Sequence, residues 1–196
     1  MKITEEWLSK CAACSSGVLW FSGFGKSDSI GVMEGLLSES KLDWANWLTV
    51  RLLNRKDKIR YAIFAAEQVI SIFEKKCPED KRPRLAIEAA KAVIENDTKE
   101  TRAAACAAYA AANTAACAAN TAAYVAYAAA AAAMAAALAA GDAAGAAAGA
   151  AAWAAAGDEM KEKIVRYGLE LHKKEKRKKG KWDAGGEAVK DSVRGK

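Results

Sequence analysis

Apolar positions follow a helical period along most of this chain. Ile3, Trp7, Leu8 and Cys11 share one stripe behind Thr4, and Glu5 and Glu6 lie where a helix dipole favours acids, which predicts a helix to about Ser16. From Gly17 to Asp28 the period fails, and glycines mixed with Trp20, Phe21 and Phe24 predict a loop or broken turn tied down by aromatic rings. Ile30, Met33 and Leu37 predict a short helix, and Asp43 is placed to cap the next, which carries Trp44, Trp47, Leu48, Arg51 and Leu52. Beyond Asp57 the apolar residues occupy two faces, Ile59, Ile63, Ile70 and Phe73 on one and Tyr61, Phe64 and Ile72 on the other. A helix apolar on two faces belongs at the centre of a fold. Cys77-Pro78 ends it, and Asp80 is placed to cap a further helix with Pro83 in its first turn, where a missing donor costs little.

Asp97 and Glu100 match a capping box and open the segment that dominates the second half. Between residues 103 and 157, 37 of 55 positions are alanine and Asp142 is the only charge. Alanine is the best helix former and the smallest apolar side chain, so this segment predicts long helices that pack closely. Arg102, Cys106, Tyr109, Asn113, Cys117, Asn120, Tyr124, Tyr127, Met134 and Leu138 follow at steps of three and four, with Ala131 filling one gap, for a period of 3.6. That is one face of a straight helix rather than a strict coiled coil. Gly141-Asp142 predicts a break, Ala143 to Ala156 a second small-residue helix anchored by Trp153, and Gly157-Asp158 the start of a last one. Its stripe is Met160, Ile164, Tyr167 and Leu171, flanked by Val165 and Leu169, and Gly168 in its interior is expected to weaken it. The fold class is therefore all-α: a single-domain helical bundle over residues 1–172 with a long alanine-rich helix, followed by a basic flexible extension over 173–196.

Charge sharpens that division. The net charge is +6, yet residues 172–196 hold ten Lys or Arg against four acids, and the rest of the chain is balanced. Bulk apolar residues concentrate before residue 95, so the first half supplies the core and the second a close-packed wall. The first residues are amphipathic rather than a secretory leader, and the uncharged run 122–140 is too poor in leucine and isoleucine to be favoured as a membrane span. Five cysteines make an odd set; Cys11 and Cys14 have a metal-like spacing but lie in a predicted helix without a second pair, so reduced thiols in the cytoplasm and no metal are expected. Gly25-Lys26-Ser27 resembles the end of a phosphate loop, but Trp20 stands where the first glycine belongs. An enzyme is the weakest class, because the single His172 borders the basic extension and no acid–base constellation has catalytic spacing. Glu67 and Glu88 as a carboxylate pair are explained more simply by salt bridges to Arg51, Arg84 or Arg102. No cofactor is implied.

The candidate binding residues are Trp44, Trp47, Arg51, Arg82, Arg84, Arg102, Tyr109, Asn113 and Asn120. Tryptophans three apart with an arginine one turn on can stack a planar ligand or serve as core. Arg82 and Arg84 sit against the unfavourable end of a helix dipole, so Glu79, Asp80, Glu88 or an external anion must compensate them, internal pairing being favoured. Asn113 and Asn120, framed by tyrosines, either fix helix register through buried hydrogen bonds or line a groove. Oligomeric state is open, since an alanine face packs equally within a chain or between chains.

Three stretches carry a resemblance: Asp43-Trp44-x-x-Trp47-Leu48; Cys77-Pro78-Glu79-Asp80-x-Arg82-Pro83-Arg84 leading into Ala86-x-Glu88-Ala89-Ala90; and Arg102-Ala103-Ala104 opening the alanine-rich helix. In this order they resemble the small all-helical immunity proteins of bacteria and their phages, over roughly residues 1–157. The resemblance implies a noncatalytic immunity or counter-defence protein that binds and neutralises a toxin or defence protein. The arginines, amides and rings would also suit sequestration of a small phosphorylated or nucleotide ligand. The alternative class is nucleic-acid binding through residues 173–181, where affinity would fall steeply with salt.

Overall fold

The computed structural model describes residues 1–119 and 156–194, with side chains for 1–112 and 156–178. The described residues form eight helices and no sheet: α1 (Glu5–Lys10), α2 (Ser15–Phe24), α3 (Ser29–Ser38), α4 (Leu42–Leu52), α5 (Arg55–Lys76), α6 (Arg82–Glu95), α7 (Lys99–Ala119) and α8 (Asp158–Arg194). The break at Gly141-Asp142, the second small-residue helix and its Trp153 lie outside the described residues.

Local chemistry sets most helix starts. The Thr4 hydroxyl accepts from the Trp7 amide at 3.1 Å, and the Asp28 carboxylate accepts from the Gly31 amide at 2.9 Å. At α5 the cap is Asn54 rather than Asp57: its Oδ1 accepts from the Asp57 amide while its Nδ2 donates to the Asp57 carboxylate. At α7 the reciprocal pair is Thr98 and Thr101, each hydroxyl accepting from the other's amide at 3.0 and 3.2 Å. Asp97, expected to cap, is instead drawn into ion pairs with Arg55 and Arg102. Asp43 lies in the first turn of α4 behind Lys41, which occupies the cap position.

The N-terminal quarter departs most from expectation. α1 stops at Lys10 because Ala12 turns into the left-handed region at φ 56°, where the Ala13 amide donates to the Leu8 carbonyl and the Ala12 amide to the Ser9 carbonyl. This is a Schellman closure with alanine where glycine is usual. The predicted loop is the helix α2, ended by Gly25 at φ 76°. Its glycines carry a helix penalty, but the Trp20 ring stacks on Phe24 at 4.6 Å and stands 6.4 Å from Trp44, so ring packing outweighs local propensity.

Two apolar clusters make the core. One joins Ile3, Leu8, Val32, Met33, Leu36, Leu37, Ala45 and Leu48; the other joins most of α5 with α6 and with Ala105 and Ala112 of α7. α8 serves both, giving Val165 and Leu169 to the first and Ile164 and Leu171 to the second. α5 is central as expected, with Ile59, Tyr61, Ile63, Ile70 and Phe73 buried, although Ile72 is exposed. The inward line on α7 is Ala105 and Ala112, and Cys106 of the larger-residue stripe is exposed. Alanine permits α7 to lie close on α6, with Tyr109 packed at the edge of the contact.

Gly168 is a contact point rather than a weak point. A Cβ there would overlap Thr49 Cγ2 and stand 2.9 Å from Tyr61 Cε2, so α8 crosses α4 and α5 at backbone distance. The helix continues through residue 172 to Arg194, where a flexible extension was expected. Lys173 pairs with Glu34 of α3 at 2.9 Å, and His172 is buried with Nε2 2.8 Å from Ser29 Oγ. No helix of the described residues is long and apolar enough to cross a membrane, and the run 122–140 lies outside them.

Candidate functional site

The expected binding residues occupy three separate places. Arg82 and Arg84 stand where α5 turns into α6. Arg82 donates from Nε and Nη2 to both oxygens of Asp80 at 2.9 and 2.6 Å, and Asp80 also accepts the Arg82 amide. Arg84 donates to both oxygens of Glu74 at 2.9 and 2.7 Å. These two-pronged pairs hold both carboxyls below their ordinary values, chiefly through the arginine hydrogen bonds. Internal pairing compensates both cations, as favoured from the sequence, although Arg84 takes Glu74 rather than Glu79, Asp80 or Glu88. Glu67 and Glu88 share Lys91 at 2.9 Å each and do not form an isolated carboxylate pair.

Arg102 is at the opposite end of α6, with its Nε 3.3 Å from Asp97, which also holds Arg55. The 14 residues of α6 separate the two arginine clusters by about 20 Å at the helical rise. Tyr109 is half-buried against the α5–α6 cluster. Asn113 lies on α7, and Asn120 lies outside the described residues.

Trp44, Trp47 and Arg51 form the third place, and it is concave. A cavity of about 310 Å³ opens between α1, α2, α3 and α4, walled by Trp20, Phe21, Trp44 and Trp47 and floored by Leu8, Val32, Leu36 and Leu48. Among the described residues, Asp43 is the one charged residue lining it. The rings are set by contacts on their other sides. The Arg51 guanidinium lies 3.8 Å from the Trp47 ring centre and donates to the Trp47 carbonyl at 3.1 Å. Lys41 Nζ lies 5.1 Å from the Trp44 ring centre, and Trp20 Nε1 donates to Glu39 at 2.8 Å. Rings held by cation–π contacts and hydrogen bonds keep fixed faces toward a void of this size, which suits an apolar or aromatic group.

Sequence reasoning missed half of this wall, because Gly17 to Asp28 read as a loop. The spacing of four between Trp20 and Phe24, and of three between Val18 and Phe21, was the helical signal that the glycines masked. It also missed the Ser29–His172 pair. That pair resembles half of a hydrolytic site, but both residues are buried and tie α3 to α8. The described residues contain no group of three His, Cys, Asp or Glu able to hold a metal, and Cys11 and Cys14 flank the bend between α1 and α2.

No curated protein and no solved structure matches the chain. A family model does, that of the "Imm-5 like putative immunity protein", over residues 49–184. The match spans the end of α4 through most of α8, beginning after the Asp43–Leu48 element and reaching past residue 157. The chain belongs to the Imm-5-like family, and its role is that of a noncatalytic immunity protein.

Proposed function

We propose that the chain neutralises a protein opponent, a toxin or defence effector, by contact through the face built from α1, α2 and α4, with Trp44 and Trp47 as anchors and Arg51 bracing Trp47. One observation carries this reading: the concave apolar surface lies at the tryptophans, whereas Arg82, Arg84 and Arg102 are each held by a carboxylate. An anionic small molecule at those arginines would have to displace intramolecular pairs, two of them bidentate, so sequestration of a phosphorylated ligand is the less favoured form of the role. The whole cavity wall, Leu8 to Leu48, precedes the residues matched by the family model. It is therefore suited to distinguishing this chain's opponent from those of its relatives. The reading has the encounter take place in the cytoplasm.

The test is growth of cells in which the opponent is induced beside the wild-type chain or a variant. Protection should persist with Arg82→Gln and be lost with Trp47→Ala. Native mass spectrometry should find a retained protein and no retained small anion. Protection that survives Trp47→Ala but not Arg82→Gln would overturn the reading.

A second reading rests on α8, whose middle turns carry the run Lys173 to Lys181 on one continuous helix. A helix of that charge can follow a phosphate backbone without reading sequence. Replacing the exposed Lys174, Arg177 and Lys178 by glutamate leaves protection intact if the role is protein neutralisation. It abolishes protection, and any salt-sensitive binding to duplex DNA, if nucleic acid is the target.

A further inference from the structure

We infer that the Ser29–His172 contact is an acid-sensitive latch: proton uptake by the imidazole loosens the hold of α8 on α3, and α1 to α3 open more often while the α5–α7 cluster stays closed. His172 is the only histidine of the chain, and both it and Ser29 are buried, with Nε2 2.8 Å from Ser29 Oγ. The hydrogen bond itself survives protonation, because a hydroxyl accepts from an imidazolium as well as it donates to a neutral ring. What changes is that a charge must stay shut away from water, which burial disfavours. Opening the junction to solvent removes that cost, so acid favours the open form. Ser29 begins α3, its amide donates to the Met1 carbonyl, and the Ile3 amide donates to the Ser27 carbonyl. Loosening α3 here therefore frees the first residues and moves Val32 and Leu36 of the cavity floor. The α5–α7 cluster includes no residue of α1, α2 or α3 among those described, so it does not need them to remain packed.

The surrounding charges do not offset the cost of an imidazolium. The elements packed at this junction bring Asp28, Glu34, Glu170 and Glu175 on the acidic side, and the Met1 amino group, Lys2, Lys26, Lys173 and Lys176 on the basic side. Glu34 and Glu170 share Lys173, at 2.9 and 3.4 Å. The Asp28 carboxylate accepts the Gly31 amide at 2.9 Å and is held below its ordinary value chiefly by that bond, with Lys176 and Lys26 adding to it. α4 and α5 bring Thr49 and Tyr61 against α8 one turn away, at Gly168. The Tyr61 hydroxyl donates to Asn46, and burial pushes its ionisation upward, so no charge comes from that side. Cations thus match the acids, and burial decides the sign.

The experiment uses the full chain alone. With a single histidine, the imidazole resonances belong to His172, and they are followed against pH in buffer and in urea that unfolds the chain. The folded midpoint should lie below the unfolded one, which for a free imidazole is about 6.5. Opening of α3 should then grow by up to about 10-fold for each pH unit below the unfolded value, until the folded midpoint is reached. Hydrogen exchange reads this as falling protection of the Val32 and Met33 amides between about pH 6.5 and 5, above the ordinary range of carboxylates. At every pH these amides should be less protected than those of Val69 and Phe73, because α1 to α3 open first. His172→Gln should remove the dependence on pH in this window, whatever its protection at neutral pH. Glu34→Gln, which breaks an exposed pair, should lower α3 protection by one factor throughout and keep the dependence. A folded midpoint at or above the unfolded one overturns the inference. So does α3 protection indifferent to pH, α3 protection equal to that of α5, or a dependence that survives His172→Gln. Should His172→Gln not fold, the two wild-type measurements decide.

Discussion

Gly168→Ala separates two physical accounts by sign. From propensity, alanine inside a helix is worth roughly 0.5–1 kcal/mol over glycine, so the substitution should stabilise α8. From the packing, the new methyl group overlaps Thr49 Cγ2 and stands 2.9 Å from the Tyr61 ring, where carbon atoms at contact stand about 3.5–4 Å apart. Neither neighbour yields readily. Thr49 is buried and its hydroxyl donates to the Ala45 carbonyl at 2.8 Å; the Tyr61 ring is buried and its hydroxyl donates to Asn46 at 2.6 Å. α8 must back away by about 1 Å, which loosens Ile164, Val165 and Leu169 on either side. Overpacking of this kind costs about 1–3 kcal/mol, and the clash argues for the upper end. Net destabilisation of about 2 kcal/mol follows, or a Tm lower by roughly 4–8 °C for a chain of this size. Urea unfolding followed by circular dichroism measures it, with Gly23→Ala as control, since a Cβ at Gly23 meets nothing within 4 Å. The control should gain stability. Thr49→Ser in the Gly168→Ala background should recover part of the loss, because it removes the overlapping methyl but leaves the ring. A Gly168→Ala chain as stable as wild type would refute the close crossing of α8 over α4 and α5.

Other outcomes follow from single contacts. Ala12→Gly and Ser40→Gly relieve left-handed residues at φ 56° and 53° and should each raise stability by about 0.5–1 kcal/mol in the same urea assay. Arg84 depresses the Glu74 carboxyl from its ordinary 4.5, so the pair's contribution is complete above that value and drains away as pH falls through the lowered one. Melting temperature against pH should accordingly fall more steeply below pH 4.5 for wild type than for Glu74→Gln. Gly35→Ala should displace the Phe24 ring, which occupies the space a Cβ would need, and change the fluorescence of its stacked partner Trp20 with little effect on the α5–α6 cluster.

The helical class, the central position of α5 and the stripe of α8 were legible because each is written in long periodic segments. Ile59, Ile63, Ile70 and Phe73 repeat often enough that burial can be read without knowing the neighbour. Single caps were less legible. Asn54 and Asp57, or Asp97, Thr98 and Thr101, all have capping side chains, and only the competing ion pair to Arg55 decides that Asp97 leaves the task to Thr98. The pocket wall was half legible. Trp44 and Trp47 announce themselves by size, but Trp20 and Phe21 lie in a segment whose glycines argue locally for a loop, and the packing that overrules them is tertiary. Likewise Gly168 reads as a defect until the partner helix is known, and His172 reads as marginal until Ser29 meets it from the other end of the chain.

The two apolar clusters suggest why a family scaffold can carry a private recognition surface. The cluster of α5, α6 and α7 buries Val69, Phe73, Ala86, Ile87 and Ala105 without help from α1, α2 or α3. The N-terminal cluster, by contrast, is completed by Val165 and Leu169 and tied down by Ser29–His172 and Glu34–Lys173, all on α8. Both clusters therefore depend on α8: α1 to α3 need it for their floor, and the α5–α7 cluster draws on another face of the same turns. Substitutions in α2 can alter the cavity roof without replacing any buried residue, since that helix has none. A change of opponent can thus be met by α2 and the outer turn of α4, at small cost to the scaffold. Opposite behaviour is expected of α8, where any change in pitch or position is felt by both clusters.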